Sequence, residues 1–179
     1  MPEHLLSRFL LFALVLTAAW YDVAFRRIPN RLTVGGLAVG LVLALVEGGW
    51  GGLGSALLGA ACGFGMFFVL WLLRAMGAGD VKLMAAAGAF LGVPLVFSAA
   101  LYSALAGGLV MIVVGLRTRA LRRVAANMGN LLLYWVQSGG VRKAEWLSLD
   151  SPGAVAIPYG VAIAVGCAFV ALFPRVSVF

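Results

Sequence analysis

Long apolar stretches separated by short groups of charged residues dominate the chain. Residues 5–23, 32–46, 55–73 and 152–173 each form such a stretch, and the Gly-rich residues 48–54 separate the second from the third. About 20 consecutive apolar residues cross a bilayer as a helix, and a tilted or short span needs a few more or fewer. The pattern therefore predicts four transmembrane spans, with a turn at residues 48–54.

Residues 83–116 form one further apolar stretch of 34 residues without a charge. A single straight helix of this length would extend about 51 Å, whereas the hydrocarbon core of a bilayer is about 30 Å thick. Pro94, preceded by Gly92, is a natural helix break. Lys82 comes before the stretch and a cluster of arginines follows it, so the stretch must cross twice if both flanks are cytoplasmic. We therefore predict two spans here and six in the whole chain.

The composition agrees with a membrane protein: 64% of the 179 residues are hydrophobic and 11% are charged. These values exclude an ordinary soluble domain and a disordered chain. We expect residues 1–179 to form a single integral membrane domain, an all-α polytopic transmembrane helix bundle without a separate soluble domain. The first span is expected to be retained rather than cleaved as a signal peptide, because Asp22 and Arg26 follow it directly and no clear cleavage site is present.

The distribution of the 13 Lys and Arg residues predicts the orientation of the bundle. Six spans with the N-terminus outside leave only Arg8 and Arg175 on the outer side, which agrees with the preference of basic residues for the cytoplasmic side. The net charge of +7 therefore indicates topology rather than nucleic-acid binding. Residues 117–150 would form the only sizeable loop, and it would lie in the cytoplasm.

Two of the six acidic residues are expected at the same depth in the membrane. Asp22 lies at the cytoplasmic end of the first span, and Asp80 lies at the cytoplasmic start of the fourth. Acidic side chains within membrane helices are costly and usually functional. Two structural alternatives remain open: Asp22 forms an i,i+4 pair with Arg26, or Asp80 caps a helix N-terminus.

A pair of neighbouring carboxylates can hydrolyse an amide bond. Two carboxylates a few Å apart do not both ionise easily, so one proton is shared: the ionised group activates water and the protonated group polarises the carbonyl. Gly77 and Gly79 would allow an unusual backbone conformation and close approach of a peptide beside Asp80. A metal site is not expected, because His4 is the only histidine and the two cysteines, Cys62 and Cys167, lie in apolar stretches.

Three motifs in the chain resemble those of the type IV prepilin peptidases, which are membrane aspartic proteases of the GxGD type. They are Asp22 with Arg-Arg-Ile-Pro-Asn at residues 26–30, Gly-Ala-Gly-Asp-Val-Lys-Leu at residues 77–83, and Ile-Pro-Tyr-Gly-Val-Ala at residues 157–162. The resemblance implies a six-helix protease with Asp22 and Asp80 as its catalytic pair. It implies no cofactor and no metal. The implied substrate is a prepilin-like or pseudopilin-like precursor, whose short basic leader is removed at the cytoplasmic face of the inner membrane.

One departure from the larger family members changes the expected activity. Those members carry an insertion with paired CxxC zinc ligands between the first two spans and also methylate the new N-terminus. Here a short loop joins these spans and the cysteine pairs are absent. We therefore expect a peptidase without N-methyltransferase activity, similar to the compact peptidases of tight-adherence (Flp-type) pili. Archaeal preflagellin peptidases are a second, more distant resemblance.

Other residues of the motifs have less specific roles. Lys82 marks the inner membrane interface, stabilises the ionised carboxylate pair or contacts substrate. Pro158, Tyr159 and Gly160 line the active-site side of the bundle, or Pro158 simply begins a helix. Two other functions are alternatives: a small proton- or cation-coupled transporter that uses the same acids, and a GxGD protease that cuts within a transmembrane helix.

Overall fold

Helices account for all regular secondary structure in the described part of the chain. A computed structural model describes residues 5–72, 76–117 and 159–173. The helices are α1 (Leu5–Phe25), α2 (Asn30–Leu72), α3 (Ala78–Arg117) and α4 (Tyr159–Leu172). The prediction of an all-α bundle is confirmed.

Helix α2 reverses direction at Gly49. Gly49 has φ 58° and ψ −149°, a conformation that glycine adopts without steric cost because it lacks Cβ. A Cβ added to Gly52 would collide with the carbonyl group of Ala44. Eight residues of straight helix would separate these two positions by about 12 Å. The chain therefore turns back within the Gly-rich residues 48–54, as predicted.

Helix α3 reverses in the same way at Gly92, where φ is 72° and ψ is 179°. A Cβ added to Gly63 in α2 would meet both the Met84 carbonyl and the Val96 side chain. Along one straight helix, Met84 and Val96 would be about 18 Å apart. The break that the sequence predicts at Gly92 and Pro94 is therefore present.

The two reversals divide the four described helices into six helical segments, and the six crossings stay a prediction. Within the described part of the chain, three helices are long and apolar enough to span a membrane, and α4 is a shorter apolar helix of 14 residues. The predicted last span coincides with α4 from residue 159 onward. Residues 152–158, residue 73 and residues 118–150 of the predicted loop lie outside the described residues.

Small residues allow the segments to pack closely. The backbones of Gly59 and Gly88 touch, since a Cβ on either would collide with the carbonyl of the other; such contacts are typical of helix packing in membranes. Large apolar side chains such as Phe9 and Trp50 are exposed, as expected for surfaces that face lipid. The interior is formed by buried apolar side chains that include Leu11, Leu14, Val15, Leu83, Met84, Val96, Ile163, Cys167 and Val170.

The described residues fall into two units. Those up to Gly107, together with residues 159–173, belong to one compact unit, and residues 108–117 belong to a second. Both cysteines lie in the first unit and both are free. All contacts of the candidate site described below also lie within the first unit.

Candidate active site

Asp22 lies in the last turn of α1, where the helix ends against the start of α4. The carbonyl of Asp22 accepts a hydrogen bond from the Arg26 backbone amide at 2.9 Å, and Arg26 leaves the helix with φ 52°. The Asp22 carboxylate oxygen Oδ2 accepts a 2.7 Å hydrogen bond from the backbone amide of Gly160. Amides in the first turn of a helix favour a negative charge. The first turn of α4 therefore holds the Asp22 carboxylate in place.

Asp80 lies in the first turn of α3 and is only 7% exposed. Its Oδ2 accepts a hydrogen bond from the Gly77 amide at 3.2 Å, while its own amide donates to the Gly77 carbonyl at 3.2 Å. Gly77 directly precedes α3, so the side chain reaches back to the N-cap amide as in a capping box. The capping role considered for Asp80 is therefore present in this form, and it fixes the carboxylate beside the helix start.

The two carboxylates lie close enough for their charges to repel each other. The Tyr159 phenol is within electrostatic range of Asp80 as well. The structure thus brings together two acids that are 58 positions apart in the sequence, at the same end of the bundle. We call this the aspartate end, defined by Asp22, Asp80, Gly77, Tyr159 and Gly160.

The two glycines before Asp80 differ from the sequence prediction. Neither Gly77 nor Gly79 has a positive φ, so the expected unusual backbone conformation is wrong in this respect. Their small size matters for packing instead. A Cβ on Gly79 would be 3.2 Å from Ile28 Cβ, and one on Gly77 would be 3.3 Å from the Asp80 carboxylate. Residues 77–79 therefore pack closely against Ile28 and the Asp80 carboxylate because Gly77 and Gly79 lack side chains. The turn into α3 does not require a left-handed backbone conformation at either glycine.

Lys82 has a partner that the sequence did not indicate. Its ammonium donates a 2.9 Å hydrogen bond to the side-chain oxygen of Asn30, the first residue of α2. The motif around residues 26–30 thereby contacts the motif around Asp80. The pairing of Lys82 with Asn30 could not be predicted from the sequence, because it depends on how the start of α3 packs against the start of α2.

The start of α4 completes the site. Tyr159 is half-buried, and its phenol end rests on Gly107, where an added Cβ would be 3.1 Å from the ring. Gly160 is buried, and a Cβ there would be 3.0 Å from the Asp22 carboxylate. Both residues therefore lie on the side of the bundle that faces the acids. Pro158 lies outside the described residues.

The remaining acid of the described residues lies at the other end of the bundle. Glu47 accepts a hydrogen bond from the Ser7 hydroxyl, near the break at Gly49. Among the described residues, no three His, Cys, Asp or Glu side chains are grouped closely enough to hold a metal ion. The paired carboxyl groups of Asp22 and Asp80 can supply acid–base chemistry.

Comparison with known proteins finds relatives of the part of the chain that contains both acids. The family model of the type IV leader peptidase family matches residues 9–112, which include Asp22 and Asp80. The prepilin leader peptidase/N-methyltransferase of Pectobacterium carotovorum subsp. carotovorum is 35% identical over 140 residues, covering 73% of this chain and 47% of that protein.

A protein of the same name from Neisseria gonorrhoeae is 36% identical over 98 residues, covering 49% of this chain and 33% of that protein. The chain thus spans about half, or less, of the length of these curated relatives. No solved structure matches it significantly. Since the family match extends over more than half of the chain and includes both acids, this integral membrane protein belongs to the type IV leader peptidase family.

Proposed function

We propose that the chain is a membrane aspartic endopeptidase that removes the short leader from prepilin-like precursors. The cleavage would occur at the cytoplasmic face of the inner membrane, with Asp22 and Asp80 as the catalytic pair. The observation that carries the proposal is that the short connection after the Asp22 turn packs through Ile28 against Gly79, directly before Asp80, so that both acids lie at one end of the bundle. Family membership and the printed names of the relatives support the substrate class.

The mechanism follows from two carboxyl groups that share one proton. The ionised carboxylate takes a proton from a water molecule as the water oxygen attacks the carbonyl carbon of the scissile peptide bond. The protonated carboxyl group donates a hydrogen bond to the carbonyl oxygen and stabilises the charge that develops there. When the tetrahedral intermediate collapses, the carbon–nitrogen bond breaks and the leaving nitrogen receives a proton from a carboxyl group. One water molecule is consumed for each bond cleaved.

The hydrogen bonds of the two acids support a carboxyl pair of fixed orientation. Asp22 is held by the Gly160 amide and Asp80 by the Gly77 amide. Because backbone amides of helix starts are rigid donors, both carboxyl groups keep their direction while the proton moves. Preorganised groups of this kind lower the cost of reaching the transition state.

The proposed enzyme lacks the N-methyltransferase activity named in its relatives. Only residues 26–29 separate α1 from α2, and no paired CxxC motif occurs in the sequence. The larger members, by the resemblance stated above, carry their zinc-binding insertion at this point. We therefore propose a peptidase that leaves the new N-terminus unmethylated.

Co-expression with a prepilin-like precursor in a bacterial host tests the peptidase proposal. Leader removal is followed as a loss of mass in the precursor. Asp22→Asn and Asp80→Asn should each abolish the mass change while the protein still reaches the membrane. Glu47→Gln is the matched control, because it neutralises an acid at the other end of the bundle and should leave processing intact. Complete processing by either aspartate variant contradicts the assignment.

Mass spectrometry of the processed product, made in the presence of S-adenosylmethionine, tests the second part of the proposal. The expected product carries a free α-amino group. A gain of one methyl group at the N-terminus, dependent on this chain, would show that the short loop does not exclude methylation.

A further inference from the structure

The connection between α1 and α2 lies against the start of α3. It consists of residues 26–29, so the last turn of α1, which carries Asp22, is joined to α2 by a very short tether. Ile28 within this connection is 7% exposed. It faces Gly79, where an added Cβ would be 3.2 Å from Ile28 Cβ. The connection therefore touches the residue directly before Asp80.

A second contact lies on the other side of Asp80. The Lys82 ammonium donates to the Asn30 side-chain oxygen at 2.9 Å. Asn30 is itself held, because the hydroxyl of buried Thr33 donates to its carbonyl at 3.1 Å. Because the Asn30 backbone is held in the first turn of α2, the hydrogen bond from Lys82 to its side chain ties the start of α3 to the start of α2.

The contact of Ile28 with Gly79 and the hydrogen bond of Lys82 with Asn30 therefore lie on either side of Asp80 in the chain. Residues two positions apart on a helix do not face each other, so Lys82 points away from the Asp80 carboxylate. Its influence on Asp80 is therefore through the position of the first turn of α3. Ile28 against Gly79 limits how closely this turn approaches the connection, and the hydrogen bond of Lys82 limits how far it moves away.

We propose that Asn30 and Lys82 are positioning residues that set the separation of the Asp22 and Asp80 carboxylates. The inference rests on the proposed function, since it assigns these residues to the same catalytic pair. It differs from the roles that the sequence suggested for Lys82, which were an interface marker, a charge partner of the acids and a substrate contact. It also gives a role to Asn30.

Kinetics of leader cleavage by the purified protein test the proposal. Asn30→Ala and Lys82→Met should each lower kcat about tenfold, because a misplacement of reacting groups by a fraction of an ångström has effects of this order. KM should stay within about twofold. Since both variants break the same contact, the double variant should be no slower than the slower single variant. Asn30→Asp, which keeps an acceptor for Lys82, should retain most of the activity.

The matched control is Arg31→Met, which removes a neighbouring exposed cation from the first turn of α2 and should leave kcat unchanged. Three results would overturn the proposal: a wild-type kcat for Lys82→Met, a double variant whose loss is the product of the two single losses, or a raised KM with unchanged kcat. The last result would assign Lys82 to substrate binding. If Lys82→Met does not fold, Asn30→Ala removes the same contact from the other side and should lower kcat about tenfold, whereas Lys82→Arg, which keeps a donor for Asn30, should retain most of the activity.

A measurement without substrate separates this inference from the proposed function. In a background with Cys62 and Cys167 replaced by alanine, Asp22→Cys and Asp80→Cys together provide a pair for a short thiol-reactive cross-linker. Adding Asn30→Ala should lower the rate of cross-linking severalfold. If it does so while the protein with both aspartates intact cleaves no prepilin-like precursor, the positioning role stands and the proposed activity fails. An unchanged cross-linking rate, while the protein with both aspartates intact does cleave, overturns the positioning role alone.

Discussion

The two ends of helix α1 contact acids in different ways. Near its start, the Ser7 hydroxyl donates a hydrogen bond to the carboxylate of Glu47. Near its end, Asp22 is itself one of two neighbouring acids, and its carboxylate accepts a hydrogen bond from the Gly160 backbone amide. The fifteen positions from Ser7 to Asp22 correspond to about 22 Å of helix. The opposite end, as we call the region of Ser7, Glu47, Gly49 and Gly92, also contains both chain reversals.

The difference shows which acids are fixed by the fold. The Ser7 hydroxyl is part of a side chain that rotates, and both it and Glu47 are accessible, so this contact adapts to its surroundings. The amide of Gly160 belongs to the first turn of a helix and cannot rotate away from Asp22. A cavity of about 250 Å³ at the opposite end includes Ser7, Arg8 and Glu47 in its lining. The cavity therefore lies beside the accessible acid Glu47 and not beside Asp22 and Asp80, whose carboxylates are held by backbone amides.

Gly160→Ala tests the rigidity of the aspartate end and should have the largest effect of the three substitutions that compare the two ends. The new methyl group would lie 3.0 Å from the Asp22 carboxylate, so the carboxylate must move by some tenths of an ångström. We expect kcat for leader cleavage to fall between about tenfold and a hundredfold, with the thermal unfolding temperature nearly unchanged. Gly65→Ala is the control, because its methyl group meets no atom within 4 Å. Wild-type kcat for Gly160→Ala would show that the close contact is not needed.

Gly49→Ala tests the opposite end and should act on stability instead. Gly49 has a φ of 58°, where a residue with Cβ costs about 1–2 kcal/mol. We expect a lower free energy of unfolding in detergent micelles and an unchanged kcat of the folded fraction. Gly48→Ala, at a neighbouring position with open space and no positive φ, should be close to neutral. A kcat loss for Gly49→Ala, with stability unchanged, would remove the distinction between the two ends.

Ser7→Ala should have the smallest effect. It removes the hydroxyl donor to Glu47, and an accessible hydrogen bond contributes about 0.5–1 kcal/mol at most. The unfolding free energy should fall by no more than this amount, and Ser7→Thr, which keeps the hydroxyl, should restore it. Loss of leader cleavage in folded Ser7→Ala protein would mean that the opposite end participates in the reaction.

The sequence predicted the features that depend on length and charge. The reversal at Gly92 followed from an apolar stretch too long for one span, and the placement of Asp22 and Asp80 at one end of the bundle followed from opposite chain directions. Contacts that depend on how the helices rotate about their axes were not predictable. The amide of Gly160 reaches Asp22 across 138 positions, and Lys82 reaches Asn30 across 52; no local pattern records either. The conformation of Gly77 and Gly79 was mispredicted because a need for close packing and a need for a positive φ both select glycine, so the sequence does not distinguish them.

A double-mutant cycle on the catalytic pair tests the central claim most directly. The kcat of leader cleavage is measured for purified Asp22→Asn, Asp80→Asn and the double variant, with Glu47→Gln as the reference for loss of an acid. If the two carboxyl groups act as one unit, each single variant loses activity by about 10²- to 10⁴-fold, and the double variant loses no more than the slower single variant. Independent losses that multiply, or a single variant that cleaves at the wild-type rate, would contradict an aspartate pair.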